Sequence, residues 1–576
     1  QYLSHSLYHF CSSTMPNATA TAAAEAKAAK AKAAKLVKIL RQRNNENSAK
    51  FFAAAMAGIM VLFILFHWTR IAFKTYERRS GKATFLQFPV RITRAARSVL
   101  IRKLPLFPST GHALVFVGYL AATIAVTFTK MDWSNPLNNL AKRLGWTSVA
   151  NLGLITFLSL KNTPLAFLTA YSYERLNVLH RIAGYSLVVS MILHATIYLA
   201  GDIRQDDLST FREDAQVEGI IAGFFILLSV VLAVLVRKIR YEIFYVTHVV
   251  LFIVIIILVG MHRPDFAKKT VIGVIVIGSL WFADRVIRSL RTLFFSFGNT
   301  ATLTPLSHGG TRVVLRKSPG RAIPGTHCFL WIPGVRALES HPFTITSTKP
   351  LELVVAAYDG FTRDLHAAAV KNPGLPLKAS IDGPYGNIPN FANFTKVVLI
   401  AGGSGASFTV GIAVDLLRRL ATSQSTTIEF IWTVREPEML EWFSEQLKEL
   451  TDSSLVNIRL FSTRGSTSDS TFVPDSLDEE KNSSTNLPAS SKNSHDIEKQ
   501  IASPVSSADI VASPQSGRPD IAAIIDDIVE KSEDNDRIVV AACGPDSLMQ
   551  ATRSTVAKNI KVNGPSIELH IEQFGW

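Results

Sequence analysis

The sequence predicts a multi-domain membrane protein: an all-α transmembrane bundle, then an antiparallel β-barrel domain, then a doubly wound α/β domain. Three observations carry this. Seven apolar stretches in the first 290 residues each approach the ~20 helical residues that cross a bilayer core. Beyond residue 298 the apolar runs shorten and alternate with polar residues, the period of strands with one buried face. From residue 396 strands alternate with helices, beginning KVVLIAGGSGASFTVGIAVDLLRRL, as a parallel sheet requires.

The 576 residues carry a net charge of +15 but only 18% charged residues, and mean hydropathy is +0.22. The excess charge is local. Residues 1–50 hold eight Lys/Arg and two Glu, residues 70–111 hold ten and one, and together they account for the whole +15. A nucleic-acid-binding protein would carry a basic face on a folded domain. Here the basic stretches flank apolar spans, so no nucleic-acid partner is expected and the lipid bilayer is. Three cysteines exclude a disulfide scaffold and a Cys-rich metal cluster.

The spans are expected near 51–69, 112–129, 149–169, 178–200, 217–236, 242–262 and 270–288. Basic loops stay on the cytoplasmic side, which assigns 70–111 and the RKIR of 237–240 to the cytosol. An acidic loop at 201–216, with Asp202, Asp206, Asp207, Glu213 and Asp214, falls outside, where it either draws metal cations or is merely solvated. Residues 1–50 are then an extracytoplasmic segment, 51–111 an extra span with a basic cytoplasmic loop, and 112–290 a six-helix domain. Everything later is cytosolic. Asn17-Ala-Thr19 is a glycosylation acceptor pattern on the outer side, and a first residue of Gln fits a leader already removed.

Runs such as TRVVLRKS, HCFLWIP and LELVVAAY place the small barrel at 298–394, and the α/β domain follows at 396–576. Residues 466–520 contain fourteen Ser, five Pro and one aromatic, Phe472, so this insertion cannot bury a core and is expected to be disordered.

His180 and His194 lie in the fourth span, and His248 and His262 in the sixth, each pair fourteen residues apart. Fourteen positions return to nearly the same helix face, ~21 Å further along. Two parallel helices so marked would face each other through two stacked pairs, His180 with His248 near the inner surface and His194 with His262 near the outer. Histidine in a bilayer is expensive and usually functional. A bis-imidazole pair at each level suits haem iron, although a lone histidine of this kind would more often be a hydrogen-bonded structural residue. His67 and His112 sit at span ends without partners at that spacing, and His308, His327 and His366 lie in the soluble part.

In the cytosolic part, HPFTITS (341–347), GFTRDL (360–365) and DGPYGN (382–387) follow the barrel strands, where a Pro-Phe-Thr turn would set donors beside a flavin and the GPYG glycines would let the backbone approach a dinucleotide. AGGSGAS (401–407) joins a strand to a helix, a site suited to a pyrophosphate. Arg435 in TVRE is placed for a 2′-phosphate or is a plain surface arginine. Cys543 in AACGP lies either near a nicotinamide or among small buried residues. Phe574 and Trp576, in the closing EQFGW, are aromatic platforms for a flavin.

In order and together, SYERLNVLHR (172–181), His194, His248, His262, HPFT, GPYG, GGSG, the Arg435 region, CGP and FGW resemble the fungal ferric-chelate reductases, relatives of the NADPH oxidases, over roughly 110–576. The resemblance implies a transmembrane flavocytochrome b with a ferredoxin–NADP reductase-like tail. His180 and His248 would bind the inner haem b, and His194 and His262 the outer. His341, Pro342, Phe343, Thr344, Phe574 and Trp576 would bind FAD; Gly402, Gly403, Ser404, Gly405, Arg435, Cys543 and Gly544 would line the NADPH site. The implied activity moves electrons from cytosolic NADPH through FAD and two haems to Fe(III) chelates or siderophores outside, with Cu(II) a second acceptor, at the plasma membrane and coupled to an iron permease/oxidase system. A superoxide-generating NADPH oxidase is the alternative within enzymes. A transporter or scaffold with a vestigial dehydrogenase tail is the alternative outside them, but it predicts eroded motifs.

Overall fold

The computed structural model describes residues 15–80, 87–263, 268–420, 426–464 and 514–572, and the chain divides into two compact units. Residues 465–513, most of the serine-rich stretch, lie outside the described residues, as do Phe574 and Trp576. The expected disordered insertion ends earlier than its composition suggested: Gln515–Ser516 already pairs as a parallel strand with Val456–Ser462.

The first unit comprises residues 1–74 and 114–284. Its helices are α1 (Met15–Ser80), α3 (Thr110–Phe128), α4 (Pro136–Ser159), α5 (Leu165–Thr169), α6 (Tyr173–Arg204), α7 (Asp214–Leu235), α8 (Tyr241–Met261) and α9 (Lys268–Ser296), with α2 (Gln87–Leu100) on the intervening basic segment. Six of them, α1, α3, α6, α7, α8 and α9, are long and apolar enough to cross a membrane. Two expectations change here. Residues 1–50 are not a separate segment, because the Ala/Lys-rich stretch and the first apolar run form one 66-residue helix that includes Asn17. Alanine and lysine are strong helix formers, so nothing breaks the helix at residue 50.

The span expected at 149–169 is displaced. α4 starts at Pro136, a residue suited to a first helical turn, and ends at Ser159; Leu165–Thr169 is a separate short helix. α4 is less apolar than its neighbours because it carries Asn138, Asn139, Lys142, Arg143 and Asn151. Arg143 is buried, but its guanidinium donates to the carbonyls of Val126 (3.2 Å) and Thr129 (2.7 Å) and to Asn45 Oδ1 (2.9 Å). It thereby satisfies carbonyls left over where α3 ends.

The second unit comprises residues 75–113 and 285–575. Its first sheet has seven strands: β1 (Thr300–Leu306), β2 (Gly310–Leu315), β3 (His327–Trp331), β4 (His341–Thr348), β5 (Leu351–Ala356), β6 (Pro376–Lys378) and β7 (Ser380–Tyr385), in the order β6-β1-β2-β5-β4-β3-β7. All pairings are antiparallel. Leu303, Val313, Leu330, Ile345 and Leu353 fill its core, closed by Phe361 of α10 (Gly360–Lys371).

The second sheet is parallel: β8 (Lys396–Gly402), β9 (Thr427–Val434), β10 (Val456–Ser462), β11 (Gln515–Ser516), β12 (Arg537–Cys543) and β13 (Ser566–Glu572), ordered β11-β10-β9-β8-β12-β13. Its helices include α11 (Ala406–Leu420), α12 (Ser444–Thr451), α13 (Ile521–Glu530) and α14 (Asp546–Asn559). Strand order reverses between β8 and β12, and that switch point is where a doubly wound sheet opens a ligand crevice.

The basic segment expected as a loop is partly ordered on this unit. α2 is amphipathic; Arg94 and Arg97 donate to the carbonyls of Gly564 (2.7 Å) and Ile567 (3.1 Å), and Lys103 to Gln550 Oε1 (2.9 Å).

A buried ion cluster ties the last three turns of α9 to the antiparallel sheet. Asp382, 4% exposed, accepts from Arg288 (2.7 Å), Arg291 (3.1 Å) and the Tyr385 hydroxyl (2.9 Å). Removing one partner of such a buried cluster costs ~3–5 kcal/mol, because it strands charges in low dielectric. Asp382→Ala is therefore expected to lower the temperature at which FAD fluorescence is released by roughly 6–12 °C. A shift no larger than that of an exposed control, Glu530→Ala, would contradict the clamp.

Candidate functional site

The membrane histidines form two pairs. His180 and His248 have ring centroids 6.3 Å apart and interplanar angle 76°; His194 and His262 are 6.1 Å apart at 67°. His180 and His194 lie within α6 and His248 within α8, while His262 is the residue that ends α8, its amide still donating to Leu258 O.

Each ring is held at Nδ1. His194 meets the carbonyl of Ala141 (2.7 Å) and His180 that of Ile155 (3.0 Å), both on α4. His262 meets the carbonyl of Ala215 (2.6 Å) and His248 the hydroxyl of Ser229 (2.7 Å), both on α7. Ala141 and Ile155 are fourteen residues apart, and so are Ala215 and Ser229. Each histidine helix thus lies beside a neighbouring helix whose tethers repeat at the same spacing. A carbonyl acceptor fixes the Nδ1–H tautomer and leaves Nε2 as the lone-pair donor, the arrangement of metal-ligating histidines.

The separation tests whether a metal fits. A bond of ~2 Å from nitrogen to metal on each side, plus ~1.1 Å from nitrogen to ring centre, gives about 6.2 Å between centroids. Both pairs match this, so the residues present suit an iron held between two imidazoles.

Sequence reasoning missed the tethers and two glycines. In a helix the residue at i+4 covers the carbonyl of residue i. Here Gly145 is four beyond Ala141 and Gly219 four beyond Ala215. A Cβ on Gly145 would come within 3.1 Å of the His194 ring, and one on Gly219 would overlap the ring of His262. The readable signal is Ala-x-x-x-Gly at the start of each neighbouring helix. Gly219→Ala is expected to displace His262 and lower the haem content of the purified chain. Gly118→Ala, on α3 and away from the histidine helices, with nothing within 4 Å of its Cβ, is expected to leave it unchanged. Wild-type haem content and spectrum in Gly219→Ala would contradict the tether.

In the antiparallel sheet, His341, Pro342, Phe343 and Thr344 all fall on the half-buried start of β4. The His341 ring stacks on Phe361 (4.6 Å between centroids) and its Nε2 meets Glu339 Oε2 at 3.0 Å; Glu339 is held in turn by Arg336 (2.9 Å). The GPYG glycines have structural duties. A Cβ on Gly383 would meet Cys328 Cβ at 2.8 Å, so this glycine lets β7 pack on β3, and Gly386 has φ +98°. Burial, then the Asp382 charge, pushes the Cys328 thiol up to about 12.

The predicted nucleotide residues gather at the C-terminal ends of β8, β9 and β12. Gly402 ends β8; Gly403, with φ +55°, turns the chain, its carbonyl accepting from Trp432 Nε1 (3.0 Å); and α11 begins at Ala406. The loop therefore leads into a helix N-terminus, whose exposed amides favour an anion. Gly405 lies against the backbone of Cys543, and a Cβ on Gly544 would meet Gly402 N at 3.0 Å. Ser404 Oγ is 3.4 Å from Tyr358 OH. Arg435 is exposed just past β9. Cys543 is buried at the end of β12, where burial, then the Glu572 charge, pushes its thiol up to about 12. Asp202, expected on an exposed acidic loop, is buried and accepts from the Thr210 hydroxyl (2.9 Å).

Three family descriptions match in order: a ferric reductase-like transmembrane component over residues 144–259, an FAD-binding domain over 300–389, and a ferric reductase NAD-binding domain over 394–557. The first spans four of the helices that build the histidine pairs. Among curated relatives, "Probable cell surface ferric reductase kap2" of Aspergillus oryzae is 28% identical over 60% of this chain and 51% of its own length. "Ferric/cupric reductase transmembrane component 1" of Candida albicans is 25% identical over 76% and 57%. "Ferric/cupric reductase transmembrane component 2" of Schizosaccharomyces pombe is 26% identical over 60% and 70%. The chain thus spans about half to two-thirds of the length of these relatives. The three matches follow one another along the chain, and in that order they make it similar to the ferric reductases of fungi.

Proposed function

We propose that this chain is a transmembrane reductase that takes electrons from NADPH in the cytosol and delivers them to ferric iron, as a chelate or siderophore complex, on the opposite face, with Cu(II) as a second acceptor. The observation that carries the reading is the pair of tethered bis-imidazole sites, 6.3 and 6.1 Å between rings, on helices apolar enough to span a membrane.

His180 and His248 hold the inner haem b and His194 and His262 the outer. His341, Pro342, Phe343 and Thr344, with Phe574 and Trp576, hold FAD. Gly402, Gly403, Ser404, Gly405, Arg435 and Gly544 surround NADPH, with Cys543 packed beneath it. When bound, FAD and haem would supply the conversion of one hydride, two electrons, into single-electron transfer. The paired imidazoles would hold each iron from both sides and so would keep substrate off it. The α11 N-terminus orients the pyrophosphate, and Arg435 selects the 2′-phosphate of NADPH.

The basic stretches 70–111 and 237–240 favour a cytosolic dehydrogenase domain and an outer N-terminus by the positive-inside rule. On that orientation Asn17 lies on the outer side as a glycan acceptor, and the reading is completed by a plasma-membrane location and by delivery of Fe(II) to an iron permease/oxidase system.

Membranes containing the protein, given NADPH and a ferric chelate, are expected to form Fe(II) at a rate unchanged by superoxide dismutase. His194→Ala is expected to lose at least ~99% of that rate while NADPH still bleaches the flavin. Fe(II) formation abolished by dismutase would make superoxide the product, and an active His194→Ala would remove the outer pair from the path.

A further inference from the structure

The last helix carries a feature that electron transfer does not use. Beyond Asp284, α9 continues for three turns to Ser296. Arg285, Arg288, Ser289, Thr292 and Ser296 recur at the spacing of one helix face and, with Lys378 of β6, line a cleft of about 490 Å³. The cleft has three cationic side chains and three hydroxyls, and no carboxylate among its lining residues. Asp382 neutralises Arg288 from behind; Lys378 is exposed and makes no ion pair among the described residues.

The flank of the same turns is apolar and uncovered. Leu290, Phe294 and Phe297 are 60, 69 and 64% exposed, with Val286 and Ile287 one turn earlier. This strip continues the apolar surface of the span itself, so it lies where lipid can cover it. Beside a span, a basic cleft next to an apolar strip is complementary to both parts of a phospholipid: phosphate against Arg/Lys and hydroxyls, acyl chains along the strip.

We propose that this cleft binds the phosphate headgroup of an anionic phospholipid from the leaflet into which α9 ends, with the lipid's acyl chains lying on Leu290, Phe294 and Phe297. The proposal rests on α9 being a membrane span but not on the electron-transfer reading, and its test needs no turnover. A soluble phosphate compound would use the same cationic groups; the apolar strip is what favours a lipid.

The full chain with its cofactors, in neutral detergent, would be titrated with a fluorescent dioctanoyl phosphatidylinositol phosphate, with dioctanoyl phosphatidylcholine as the neutral control. Saturable binding at least tenfold tighter than the control is expected. Lys378→Glu and Arg285→Gln should each weaken it tenfold or more, and Leu290→Ser should weaken the lipid but not free inositol phosphate. Flavin and haem absorbance report folding, and exposed Lys378 carries the test if Arg285→Gln fails to fold. Equal binding of anionic and neutral lipid, or no effect of Lys378→Glu, would overturn the proposal. Inorganic phosphate or inositol phosphate binding as tightly as the lipid, with Leu290→Ser silent, would assign the cleft to a soluble phosphate and overturn it as well.

Discussion

Everything in the membrane unit depends on the register between each histidine helix and the helix that tethers it. An imidazole in a low-dielectric interior must have its N–H satisfied, and the partner that satisfies it also decides which nitrogen remains for a metal. α4 holds the two rings of α6, and α7 holds the one on α8 and the one that ends it, through acceptors that repeat every fourteen residues as the histidines do. A one-residue slip of either helix would turn its acceptors through roughly 100° and break both contacts. The requirement also explains features that look costly alone. α4 gives up apolarity to bring Arg143 and its asparagines into the bundle, and two glycines stand in helix interiors where they reduce helix propensity. At both glycine positions the bare backbone opens a carbonyl to a ring.

The second unit solves a different problem, the close approach of backbone to backbone at the end of a parallel sheet. Gly402, Gly405, Cys543 and Gly544 crowd together where β8 and β12 part company. Small residues there keep the crevice open to a dinucleotide and leave the helix N-terminus of α11 as its floor. Cys543 belongs to this packing, since it is buried with its backbone against Gly405. The Asp382 cluster plays the corresponding part for the antiparallel sheet, where the DGPYG segment anchors the end of α9 through charge as well as shape.

Much of this was legible in the sequence, for identifiable reasons. Spans declare themselves by apolar length, and the histidine pairs by a spacing that returns to one helix face, so α6 and α8 and their partners were readable from residues 180, 194, 248 and 262. The glycine loop was readable because strand, loop and helix follow in order. What failed depended on tertiary demand. α4 was displaced because its polar residues have partners in other segments, which a hydropathy window cannot see. The Ala/Lys stretch was cut at residue 50 because composition suggested a change of environment, whereas helix propensity runs straight through. Gly383 was assigned to ligand approach when its neighbour is Cys328, a contact set by strand pairing far apart in sequence. Asp202 was counted as surface charge because hydropathy ended the span before it, whereas α6 runs on to Arg204 and buries it in its last turn.

The proposed electron path requires two bis-imidazole metal sites, one for each histidine pair. Low-temperature EPR of the oxidised, purified full chain, with haem quantified against protein, tests for them. Two low-spin ferric signals and two b-type haems per chain are expected. A single haem per chain, or a high-spin signal from iron with one histidine ligand, would contradict it.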